Sequence, residues 1–277
     1  MKYLVAVSGG IDSVVLLDML VRSRKGDLVI AHFDHGIRED SRADARFVKG
    51  LAERYGLEFV TKREELGASA SEERARKRRY AFLREQANYH GATIVTAHHQ
   101  DDIIESIAIN LVRGTGWKGL AVFAATDIVR PLLRFSKEDI RTYALANRLE
   151  WVEDGTNAED IYLRNRLRRR LKRLLVDRKK DHLVALWKQQ IILREGIEKE
   201  LDGLLDERVW SRYFMTMIDQ APAIELLRAA IKQRTGVMLT RPQAERALLV
   251  VKTARVGSVF EAGSGVTLRF TATTFIA

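Results

Sequence analysis

Between Tyr3 and Val112, short apolar runs alternate with longer segments of helical period, and no other feature restricts the fold as much. Tyr3–Val7, Leu28–Phe33, Leu57–Thr61 and Thr93–Thr96 have the short, β-rich character of strands. The stretches 13–24, 40–55, 72–89 and 101–112 carry apolar residues at helical spacing. This alternation predicts βαβ units, hence an α/β fold with a parallel sheet and helices on both faces. Such sheets bind ligands beyond the carboxyl ends of their strands. After Trp151 the alternation stops. Residues 160–206 look helical almost throughout, first very basic and then amphipathic. Two further helices are expected at 223–233 and 241–251, then Thr/Val/Phe-rich strands around Gly257, Gly263 and Gly265. The expected organisation is an α/β domain over 1–178, a helical connector over 179–207, and a small α+β domain over 208–277.

Composition removes whole classes of function. The chain has no cysteine, which excludes a disulfide scaffold, a Cys-based zinc site, an Fe–S cluster and any thiolate nucleophile. No apolar run approaches the roughly 18 residues that a membrane helix needs. Leu4–Val7 ends at Ser8-Gly9-Gly10, too soon for a secretory signal. A cytoplasmic chain with no membrane partner is expected. The 47 Lys and Arg outnumber 37 Asp and Glu, a net charge of +10 that favours a polyanionic partner.

Chemistry concentrates in a few segments. Ser8-Gly9-Gly10-Ile11-Asp12-Ser13 follows the first strand and opens the first helix. Its glycines allow a tight turn and close backbone approach, and free N–H groups at a helix start cradle an anion such as pyrophosphate. Asp12 would repel a phosphate by itself, so it makes sense as the partner of a magnesium ion. His98, Asp102 and Glu105 sit at i, i+4 and i+7, one face of a continuous helix. One imidazole and two carboxylates can bind a metal, an ammonium group or both. Gly114-Thr115-Gly116-Trp117-Lys118-Gly119 fits the dinucleotide fingerprint in letters, but it follows a helix instead of a strand and reads as a helix stop. Residues 164–180 hold ten basic residues against one acid, and Arg74, Arg76, Lys77, Arg78 and Arg79 form a second cluster. Two clusters on one basic chain favour a phosphodiester backbone over an ordinary solvated face.

With its SGGxDS segment the chain resembles the PP-loop ATP pyrophosphatases. Four further segments, in order, narrow the resemblance to the tRNA(Ile)-lysidine synthases. These are His32-Phe33-Asp34-His35-Gly36-Ile37-Arg38, the stretch 97–106 around His98 and Asp102, Arg130-Pro131-Leu132, and Glu153-Asp154-Gly155-Thr156-Asn157 leading to Arg164-Asn165-Arg166-Leu167-Arg168. Ser106 and Gly155 depart mildly from the family pattern. The resemblance implies an AMP-forming ligase that uses ATP and Mg²⁺, with Ser8, Gly9, Gly10, Ile11, Asp12 and Ser13 cradling the nucleotide and Asp12 meeting the metal. It implies that His98, Asp102 and Glu105 handle free lysine and the reacting centre, and that Arg168 reaches the target base. At the end of the second strand, alternation turns Phe33 and His35 to one face and His32 and Asp34 to the other, where such residues can shape the adenosine pocket and Arg38 can pair with a phosphate. The implied macromolecular partner is the isoleucine tRNA with a CAU anticodon. The rivals are a PP-loop tRNA thiolase, which the lack of cysteine argues against, a PP-loop ligase acting on a small molecule, and a non-catalytic RNA-binding relative.

Overall fold

The computed structural model describes residues 1–36, 41–67, 71–124, 127–153, 171, 177–205 and 207–277. The first strands and helices are β1 (Lys2–Ala6), α1 (Ile11–Ser23), β2 (Asp27–Asp34), α2 (Ser41–Tyr55), β3 (Glu58–Arg63) and α3 (Glu72–His90). They continue with β4 (Thr93–Val95), α4 (Gln100–Val112), β5 (Ile128–Val129) and α5 (Lys137–Ala146). The sheet order is β3-β2-β1-β4-β5 with every pair parallel, so the chain reverses direction across the sheet between β1 and β4. That point is where an open α/β sheet leaves a crevice for a ligand.

Strand alternation sends successive side chains to opposite faces. Leu4, Val29, Ala31 and Ile94 pack with Phe82 and Leu83 of α3. Val5, Ile30 and Val95 pack on the other face with Val14 and Leu17 of α1, Val48 of α2 and Ile140 of α5. Both faces are therefore covered, and each fully buried Leu such as Leu4 or Leu17 contributes about 1.5–3 kcal/mol. The expected parallel α/β sheet is present. Neither β5 nor α5 is apparent from apolar periodicity. Two residues are too few to show a period, whereas α5 has a local signal in its Ser136-x-x-Asp139 capping box.

Beneath this layer, Asp18 of α1 is only 2% exposed and ties three helices together. Its carboxylate accepts from Arg22 Nε at 2.7 Å, Tyr55 Oη of α2 at 3.0 Å and Tyr143 Oη of α5 at 2.8 Å. Burial and the adjacent Asp18 carboxylate push both phenols up to about 12. Each phenol keeps its proton longer in the folded chain than in the unfolded one. Their stabilising contribution is thus complete below pH about 10 and is lost as pH rises towards 12. Absorbance titration of the folded protein should show a phenol step near pH 12, and Y55F with Y143F should remove it.

The chain divides into two compact units, 1–191 and 192–277, within a long helix α6 (Asp177–Leu204). The second unit contains α7 (Arg212–Met217), α8 (Gln220–Thr235), α9 (Arg241–Thr253) and an antiparallel sheet of β6 (Val259–Gly263), β7 (Val266–Phe270) and β8 (Phe275–Ile276). Met215, Leu227, Leu268 and Phe275 form its centre. Arg212 donates to the carbonyls of Val251 and Ala254 at 2.8 and 2.6 Å, satisfying the open end of α9. The small α+β fold expected at this end is present. No helix among the described residues is long and apolar enough to cross a membrane.

Candidate active site

The Ser8–Ser13 segment forms the turn from β1 into α1. Gly9 has φ +95°, and a Cβ there would meet only ordinary contacts with Phe47, Val48 and Val152 at 3.5–3.6 Å. Backbone conformation, and not space, requires glycine at this position. Gly10 caps α1. Ser13 Oγ accepts from the Ser8 N–H at 3.1 Å and donates to the Gly10 carbonyl at 2.8 Å, which closes the loop on itself. The Val152 N–H donates to the Gly9 carbonyl at 3.0 Å, so residues 151–153 are stitched to the loop as well. Ile11 and Asp12 enter the first turn of α1.

Two other helix starts converge on Asp12. His99 caps α4, with its Nδ1 accepting from the Asp101 N–H at 3.3 Å and Asp102 Oδ2 accepting from the His99 N–H at 2.9 Å. His99 Nε2 then lies 3.8 Å from Asp12 Oδ2 and 3.6 Å from Asp102 Oδ2, bridging the two carboxylates. From the other side Lys137, the first residue of α5, places its Nζ in an ion pair with Asp12 Oδ1. The Ser136–Asp139 capping box holds that helix start in place. Gln100 joins the two starts, its N–H donating to the Phe135 carbonyl at 3.0 Å and its Nε2 to the Arg134 carbonyl at 2.9 Å. Three helix N-termini around one crevice favour a polyanionic ligand through their aligned dipoles.

The structure alters the expected helical face. Helix α4 begins at Gln100, so His98 precedes it and the i, i+4 relation of His98 to Asp102 does not place them on one face. The reason is the His99 cap, which keeps extended backbone with φ −126° and ψ −177° and stops the helix short of His98. His98 Nδ1 instead shares a 2.9 Å hydrogen bond with Thr96 Oγ1 at the end of β4. Asp102 faces His99, whereas Glu105, one turn further along α4, is 4% exposed. Among the described residues no cluster of three or more His, Asp or Glu is arranged to hold a metal ion. Arg168, Arg38 and the 154–168 segments lie outside the described residues.

Sequence reasoning missed two members of this centre. His99 stood beside a more conspicuous neighbour, and Lys137 lay in a helix with no assigned period. The Ser136 capping box was the signal that could have located Lys137.

Beside the crevice, the end of β2 behaves as the strand alternation requires. His32 Nδ1 donates to the Val7 carbonyl at 2.9 Å, and Phe33 packs edge-on with His35 at 4.9 Å on the opposite face. Burial raises the Asp34 carboxyl, but the Gly36 N–H, the Ser41 hydroxyl and Arg63 outweigh it and hold it below the usual range. His35 goes down to about 4, first through burial and then through the nearby Arg79 charge. A folded pKa below the unfolded one makes the His35 contribution to stability complete above pH about 6.5 and lost progressively as pH falls towards 4. NMR titration should find His35 neutral at pH 5, and H35Q should flatten the pH dependence of Tm between 4 and 6.5.

Of the basic clusters, the one on α3 is described. Arg74, Lys77 and Arg78 are exposed, whereas Arg76 and Arg79 lean over the Tyr80 ring at 5.0 and 5.5 Å. Gly114 follows α4 at φ +70°, and Trp117–Gly119 is a single 3-10 turn, so this glycine-rich segment has no strand before it.

Residues 1–175 match the PP-loop domain. The chain is 32% identical over 272 residues to the tRNA(Ile)-lysidine synthase of Thermotoga maritima, covering 91% of this chain and 65% of that protein. It is 35% identical over 267 residues to that of Thermus thermophilus, covering 90% and 52%, and 42% identical over 181 residues to that of Exiguobacterium sibiricum, covering 63% and 43%. The chain thus spans between 43% and 65% of the length of these relatives. Among solved structures it is similar to the U34-tRNA thiolase NcsA of Methanococcus maripaludis, at TM-score 0.59 and 15% identity over 69% of this chain and 72% of that one. That likeness concerns the fold. Sheet order, the Ser8–Ser13 loop at its switch point and the matched domain agree, and the chain belongs to the PP-loop family, with tRNA(Ile)-lysidine synthases as its relatives.

Proposed function

We propose that this chain ligates free lysine to C2 of the wobble cytidine in the CAU anticodon of isoleucine tRNA, at the expense of ATP. The observation that carries this reading is the meeting of Asp12, His99, Asp102 and Lys137 at the carboxyl ends of β1 and β4. The relatives' name supplies the substrate. In the first step the cytosine O2 attacks the α-phosphorus of ATP and pyrophosphate leaves. In the second, the ε-amine of lysine attacks C2, a C–N bond forms, and AMP departs with the former O2.

Each step makes a separate demand. The first needs positive charge around the departing pyrophosphate. The Gly9-Gly10 backbone and the α1 start supply N–H donors, and Lys137 supplies a cation. Magnesium prefers oxygen ligands and is usually held by one or two carboxylates together with substrate phosphates. The half-buried Asp12 fits that pattern and would hold the ion with the nucleotide. When bound, magnesium neutralises phosphate charge. The second step needs lysine as an amine, because an ammonium has no lone pair. Asp102, oriented by the His99 N–H, binds the ammonium and takes its proton. Glu105 adds negative potential from below, and His98 borders the lysine position. Arg168 stabilises the adenylated base. The exposed Arg74, Lys77 and Arg78 meet tRNA phosphates. This chain has no cysteine with which to hold a cluster such as the thiolase carries.

Mass analysis of nucleosides from isoleucine tRNA incubated with ATP, Mg²⁺ and lysine tests the proposal. The expected product is the wobble cytidine heavier by one lysine less one water, with ATP–pyrophosphate exchange that requires RNA. Exchange without RNA and an unmodified cytidine would transfer the chain to the small-molecule ligases.

A further inference from the structure

The segment joining α4 to β5 contains a bulky residue in a costly conformation. Phe123 has φ +62°, a left-handed backbone that large side chains rarely adopt. Such strain persists only where the surroundings over-determine it, and it concentrates at functional sites. Two side chains distant in sequence hold this turn. Arg130, just after β5, donates from Nη1 to the carbonyls of Phe123 at 3.3 Å and Ile128 at 3.1 Å. Trp187 of α6 donates from Nε1 to the carbonyl of Val122 at 2.8 Å.

The clamped ring has two neighbours. Its centroid is 4.7 Å from that of the His98 imidazole, tilted by 41°, and the Arg130 guanidinium carbon is 5.2 Å from it. Thr96 Oγ1 already binds His98 Nδ1 at 2.9 Å. The Phe123 ring, packed beside the imidazole, limits how far it can turn. Phe123 remains half-buried, so it forms part of the wall next to His98 as well as a support.

We propose that Phe123 is a positioning residue: the clamp of Arg130 and Trp187 presses its ring onto His98 and fixes the imidazole at the end of β4. The kinetic consequence rests on the reaction proposed above, because His98 borders the lysine position there. The structural consequence does not depend on it. The clamp also joins α6 to the site. A change at Trp187 is therefore transmitted through the Val122 carbonyl to His98.

Three variants of the full chain test this: F123L, which keeps apolar bulk without the ring, F123Y, which restores the ring, and W187F, which keeps an aromatic ring but loses the N–H donor to Val122. The His98 resonances, assigned by comparison with H98Q, report the ring directly through its ring current. F123L should shift them and broaden them through rotamer averaging, F123Y should restore them, and W187F should move them in the same direction as F123L by less. In lysine ligation F123L should lower kcat, by up to on the order of 10²-fold for a misplaced group, with KM for ATP unchanged and recovery in F123Y. His98 resonances unchanged in F123L overturn the proposal, whatever the wild type produces. So does a wild-type kcat in F123L, or a W187F spectrum identical to wild type. Absence of any lysine product from the wild type would defeat the proposed reaction and leave the resonances to decide the positioning role.

Discussion

Asp12→Ala should lower RNA-dependent ATP–pyrophosphate exchange by at least 10²–10³-fold, on the order of the loss of one preorganised electrostatic group, while RNA affinity stays the same. The asymmetry follows from position. Asp12 lies in the crevice between β1 and β4, joined to Lys137 and His99, whereas the exposed basic residues of α3 are elsewhere on the sheet. Removing the carboxylate takes away the oxygen donor proposed for the metal and releases Lys137 from its partner. Filter binding and exchange, measured on the same preparation, separate the two properties. An equal loss of RNA affinity would mean that Asp12 holds the fold of the loop and has no direct part in adenylation.

Lys137→Met should show the second large effect, a loss of roughly 10²-fold or more in the same exchange rate, with an intact far-UV spectrum. Methionine retains most of the unbranched apolar stem of lysine and removes the ammonium group with its charge and N–H donors. The Ser136–Asp139 box that starts α5 does not involve the Lys137 side chain, so the helix should persist. Because Lys137 and Asp12 form one ion pair, their effects should not add. The double variant should lose less than the product of the two single losses, as contacting groups do. Strict additivity would show that the pair is incidental and that each residue acts on its own.

Both predictions depend on a residue that periodicity does not single out, and the reason is instructive. The Ser8–Ser13 segment is legible because its chemistry is local: adjacent glycines, flanking hydroxyls and a helix start occur within one turn of chain. The parallel sheet is legible because β1, β2 and β4 are buried on both faces and read as apolar runs between helical stretches. Helix α5 is only ten residues long, so Ile140, Tyr143 and Ala144 make a single short apolar stripe, and its capping box is an added local signal. His98 shows the opposite failure. Its spacing to Asp102 and Glu105 suggests a shared helical face, yet spacing carries no angular meaning outside a helix, and the His99 cap excludes His98 from α4.

The amino-acid sequence by itself determined the class of fold, the glycine turn after the first strand, the lack of cysteine and the basic balance of the chain. These depend on residue type, composition and short-range spacing. Only the tertiary structure decided which groups meet Asp12. His99 reaches it across the β1–β4 switch point and Lys137 arrives from 125 residues further along the chain. Sheet order brings those helix starts together, and sheet order arises from packing between segments that are remote in sequence. The strained Phe123 turn belongs to the same category, since Arg130, just after β5, and Trp187 of α6 hold it.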